Sequence, residues 1–166
     1  MHIDVVEAPP GGVEADVLVF AVRDPVVLAG AAEGLDRLVE GRLARLLDSG
    51  ELKGDEGRVT LLHADGRLAA ARVGAVGLGS KALDADRLRT AAARVAARTL
   101  EVGGTSVAWV VEENGLGVGV AELVGYPDGQ EAVVVVTFGA RQERLDADSG
   151  DIGLHTLGVA QGVAEP

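Results

Sequence analysis

The residues best suited to chemistry lie in Gly74-Ala75-Val76-Gly77-Leu78-Gly79-Ser80-Lys81-Ala82. Gly77, Gly79 and Ala82 satisfy the spacing G-x-G-x-x-[GA], in which glycines let a backbone approach phosphate closely and exposed amides at a helix start hold it. Gly77, Gly79, Ser80 and Lys81 are therefore the candidate set for a phosphate-type turn. The surroundings fit a plain strand-to-helix turn better. In a dinucleotide fold the pattern opens the helix itself within the first strand-helix unit, whereas here two strand-like runs come first and the helix signal waits for Asp84.

Other reactive residue types are scattered. His2, His63 and His155 have no second histidine or carboxylate at ligand spacing, so no metal site is assigned. Asp65-Gly66-Arg67-Leu68 resembles part of an aminopeptidase metal motif but falls where a hairpin turn is expected, and turn chemistry accounts for it. Ser49, Ser80, Ser106 and Ser149 lack a nucleophile-elbow context, which leaves no Ser, His and Asp set. The acidic pairs Asp55-Glu56 and Glu112-Glu113 read as solvated loop charges. No catalytic residue is assigned.

Composition narrows the function classes. The chain has 166 residues, 48% of them hydrophobic, enough for one domain with a continuous core. Aromatics amount to 2%, namely Phe20, Trp109, Tyr126 and Phe138, so stacking on nucleic-acid bases is poorly supplied. Fifteen basic against twenty-six acidic residues give a formal charge of -11, which opposes approach to a phosphate backbone or an anionic membrane. Without cysteine there is no disulfide framework, thiolate nucleophile or Cys-ligated zinc. Met1-His2-Ile3-Asp4 lacks a secretory signal's basic segment, and no apolar run reaches membrane-spanning length, so a cytoplasmic protein is expected.

The elements that must position these residues follow from periodicity. Val17 to Val22 is a short β-branched run that predicts a strand buried on both faces, and Thr105 to Val111 and Ala132 to Phe138 read alike. Val59 to His63, the turn signal Asp65-Gly66 and the run Leu68 to Leu78 predict a hairpin leading into a central strand. Leu35, Leu38, Val39, Leu43, Leu46 and Leu47 carry one helical period that stops near Ser49-Gly50. A second helix starts at Asp84, a good N-cap, with Leu88, Ala92, Val95 and Thr99 on one face and Arg87, Arg94 and Arg98 beside it. A short helix is expected around Val120 to Val124, within a glycine-weakened stretch. Strands alternating with helices predict an α/β fold, a mixed sheet covered on both sides. Residues 1–140 form the expected domain and 141–166 an acidic linker or edge segment.

This order of pieces resembles the N-terminal domain of the cytosolic, dimetal leucyl aminopeptidase family. Members of that family carry a G-x-[FL]-K-G segment followed by a V-G-L-G-x-K turn. Here Gly50-Glu51-Leu52-Lys53-Gly54 and Val76-Gly77-Leu78-Gly79-Ser80-Lys81 stand in that order, before an alanine-rich helix from Leu88 to Leu100. Lys53 and Lys81, the two lysines of the chain, both fall on these matches. The likeness covers about Val13 to Val111. From Glu112 onward the chain departs from the family pattern, because Glu122-Leu123-Val124-Gly125-Tyr126 runs directly into Pro127-Asp128-Gly129 where members have a longer helix.

The resemblance implies a macro-domain-like three-layer α/β/α sandwich with a mixed, mostly parallel sheet. It also implies a role in assembly or regulation, at the outer corners of a hexamer, with a separate C-terminal domain that holds two divalent metals, zinc or manganese, and does the chemistry. The Asn-Thr-Asp-Ala-Glu-Gly-Arg signature of that domain does not occur in this sequence. The segment Leu157 to Glu165 resembles the approach to it. No cofactor is therefore expected in this chain. The alternative is a stand-alone module binding ADP-ribose or a related nucleotide through the Gly77 to Lys81 turn, a reading carried by fold analogy.

Overall fold

The computed structural model describes residues 2–6, 8–111 and 132–137. The helix expected around Val120 to Val124 and the 141–166 segment lie outside the described residues, as does the expected boundary at 140. Among the described residues six strands and three α-helices are placed: β1 His2–Val6, β2 Val17–Val22, α1 Ala31–Leu38, α2 Arg42–Asp48, β3 Val59–His63, β4 Arg72–Gly77, α3 Ala85–Glu101, β5 Ser106–Val111 and β6 Ala132–Thr137. A 3-10 turn, Pro10–Gly12, follows β1.

The strands form one mixed sheet in the order β1-β6-β5-β2-β4-β3. β2 runs parallel to β4 and to β5 at the centre, while β3 pairs antiparallel with β4, β6 with β5, and β1 with β6. Four strands, β1, β2, β4 and β5, therefore share one direction, although only two of the five pairings are parallel.

Alternation along β2 shows why the sheet needs two covers. Leu18, Phe20 and Val22 enter a core with Val73 and Ala75 of β4 and with Leu35, Val39 and Leu43 from the α1–α2 side. Val17 and Val19 enter a second core with Val76, Leu78, Val107 and the α3 residues Ala91 and Val95. A period of two thus feeds opposite faces, and helices close both. The result is the three-layer α/β/α sandwich.

The structure departs from several expectations. The single helix read from Leu35 to Leu47 is two helices. After α1 the chain turns left-handed at Glu40 (φ 59°) and Gly41 (φ 72°), and the Gly41 amide donates to the Asp36 carbonyl at 2.8 Å while the Glu40 amide donates to that of Arg37 at 3.1 Å. That is a Schellman stop. The Asp36 carboxylate then accepts the amides of Leu43 (2.8 Å) and Ala44 (3.1 Å), so α1 supplies the cap for α2. On α3 the buried stripe is Ala91, Val95 and Thr99 with Leu88 half-buried, and Ala92 faces solvent. β4 begins at Arg72; Leu68 and Ala70 ahead of it are buried loop residues. β1, pairing His2 with Thr137 and Val6 with Val133, was not anticipated. Among the described residues no helix is long and apolar enough to cross a membrane.

Candidate functional site

The candidate turn leaves the carboxyl end of β4, beside the end of β2, the edge at which open α/β sheets usually present their ligand sites. Its backbone is occupied. The Gly77 amide donates to the Arg58 carbonyl (2.8 Å), the Leu78 amide to Val22 (2.8 Å) and the Gly79 amide to Gly54 (2.7 Å). In return the Gly77 carbonyl accepts the Gly57 amide at 2.8 Å, and the Gly79 carbonyl accepts that of Asp24 at 3.3 Å. The amides that would cradle a phosphate at Gly77 and Gly79 are thus committed to the chain's own carbonyls. Ser80 and Lys81 are exposed, and the Arg23 guanidinium donates to their carbonyls at 3.2 and 2.7 Å.

The glycines have a packing reason. A Cβ on Gly77 would lie 2.0 Å from the Asp55 carbonyl oxygen and 2.6 Å from the Gly54 carbonyl carbon, and a Cβ on Gly54 would lie 2.7 Å from the Arg23 carbonyl. Three backbone segments, at 23–24, 54–58 and 77–79, stack with no room for a side chain between them. Gly79 adds a left-handed φ of 73°. The G-x-L-K-G and V-G-L-G-x-K segments therefore meet each other. Between them Leu52 and Leu78 are buried, while Lys53 and Lys81 stay in solvent.

Charged side chains fasten this stack to α3. The Asp84 carboxylate caps the helix through the Arg87 amide (2.8 Å). The Arg87 side chain, 15% exposed, pairs with Glu56 at 2.7 Å and reaches Asp84 at 3.6 Å. The Arg94 stem lies over Gly57. Arg98 pairs with Glu101 instead. The arginine row thus divides: Arg87 and Arg94 cover the 54–58 loop, and Glu56 is an ion-pair partner, not a purely solvated loop charge.

At the opposite, amino edge, the Asp16 carboxylate accepts the Thr105 amide (2.7 Å), the Ser106 amide (3.0 Å) and both hydroxyls. The Ser106 hydroxyl in turn accepts the Asp16 amide at 2.9 Å. The Thr105 amide above all, with the Ser106 and Thr105 groups, holds the Asp16 carboxyl below the usual carboxylate range against a smaller opposing effect of burial. Asp16, Asp36 and Arg23 were not singled out by sequence reasoning, and Glu56 was read only as a solvated loop charge. The partners of Asp16, Arg23 and Glu56 are distant in the chain, and Asp36 reaches Leu43 and Ala44 across a helix break that no local spacing announces.

The remaining candidates do not converge. His63 is exposed at the end of β3, where its carbonyl accepts from Arg42 (2.9 Å). Asp65 (φ 52°) and Gly66 (φ 76°) form the expected hairpin turn, and the Asp65 carboxylate pairs with Arg42 at 2.5 Å. The Ser49 hydroxyl bonds the Leu46 carbonyl at the end of α2. Among the described residues no group of three His, Cys, Asp or Glu side chains is placed to hold a metal. His155, Ser149 and Glu112-Glu113 lie outside the described residues.

Comparison with known proteins bears on this arrangement. The model of the family described as cytosol aminopeptidase family, N-terminal domain, matches residues 17–123. The match begins at the first residue of β2 and continues past Val111, further than the likeness read from the motifs alone. A "Probable cytosol aminopeptidase" of Ralstonia pickettii is 37% identical over 113 residues, which cover 68% of this chain and 22% of that protein. One of Ralstonia nicotianae is 36% identical over 115 residues, covering 67% and 23%. One of Geobacter sulfurreducens is 41% identical over 99 residues, covering 50% and 20%. The chain spans about a fifth of the length of the curated relatives it matches.

Proposed function

Since this chain belongs to the cytosol aminopeptidase family as its N-terminal domain, we propose that it serves assembly and regulation in a metal-dependent enzyme that removes N-terminal residues from peptides, without taking part in the chemistry. The observation that carries the reading is the convergence of the two family segments. Gly50 to Gly54 and Val76 to Lys81 meet through backbone hydrogen bonds and glycine contacts, so what they supply is a rigid corner. In this reading the partners are the enzyme's own C-terminal catalytic domain and further copies of the same protein, arranged as a hexamer. Two divalent metals, zinc or manganese, belong to that other domain, and the compartment is the cytoplasm.

The test is the gene beyond the codon for Pro166. A frame that continues into a Lys, Asp and Glu metal-binding sequence with the Asn-Thr-Asp-Ala-Glu-Gly-Arg signature supports the reading; a stop codon contradicts it. The rival module for ADP-ribose or a related nucleotide would have to rely on Ser80 and Lys81, given that the Gly77 and Gly79 amides are engaged. Calorimetry with millimolar ADP-ribose decides that rival, since absence of heat ends it.

A further inference from the structure

We draw no further inference here: the strongest candidate, the exposed Lys53, Ser80 and Lys81 around the turn that leads into α3, is a helix N-terminus flanked by two lysines, and nothing in the structure points to a ligand for it.

Discussion

Gly77 lies so close to Asp55 that a single added carbon on the glycine would stand 2.0 Å from the aspartate's carbonyl oxygen. The neighbour is backbone, held by the hydrogen bonds that join Gly57 to Gly77 and Gly79 to Gly54, so it cannot swing aside as a side chain end would. Gly77→Ala is therefore expected to cost about 2–3 kcal/mol, the upper part of the range for overpacking. Gly12→Ala, where a Cβ meets nothing within 4 Å, is expected to stay within about 0.5 kcal/mol of the parent. Urea unfolding of both variants checks this, and equal midpoints would remove the packing explanation of the motif.

The Arg87–Glu56 pair should act as a clasp between α3 and the 54–58 loop. Glu56 is 45% exposed on its side chain, so the coupling energy is limited by solvent to about 1 kcal/mol or less. A double-mutant cycle of Arg87→Ala and Glu56→Gln measures it. Hydrogen exchange should quicken at the Gly57 and Gly79 amides in either single variant; unchanged exchange there would show that the backbone stack holds without the clasp.

Asp16 links stability to pH. Its folded pKa is depressed, so its contribution is fully present above the unfolded value of about 3.9 and is lost as pH falls through the lower folded value. Asp16→Asn should cost about 1 kcal/mol near neutral pH, the scale for hydrogen bonds to a charged group reduced by the solvent that screens this carboxylate. Below about pH 4 the gap between variant and parent should narrow. A gap that stays constant down to acid conditions would mean that the carboxylate charge is not what the Thr105 and Ser106 donors recognise.

Asp36 caps a helix to which it does not belong. Asp36→Ala leaves the Leu43 and Ala44 amides without their acceptor and should destabilise the chain by about 1 kcal/mol. Exchange at those two amides should rise more than at Val95 in α3. Equal effects in both helices would point to global loosening and not to a lost cap.

What was legible in the sequence was local. Val17 to Val22 is apolar on both faces and could only be a central strand, and Asp84 with its Leu88 to Thr99 period announced α3 and its cap. The α1–α2 break was hidden because Leu35, Val39 and Leu43 keep a four-residue spacing across the left-handed pair Glu40 and Gly41. β1 escaped notice because its partner, β6, is at the far end of the described chain. The Gly77 to Lys81 turn was visible as a pattern, yet its meaning was not: a glycine needed for phosphate and a glycine needed for a neighbouring carbonyl look alike until the Gly54 backbone is seen against it.

Whether this domain itself hydrolyses peptides is decided by an aminopeptidase assay on the purified chain with a leucyl substrate and added manganese or zinc, run beside its unfolding curve. A non-catalytic domain gives cooperative unfolding and no hydrolysis above the metal blank. Metal-dependent hydrolysis that co-purifies with the folded chain would contradict the non-catalytic reading.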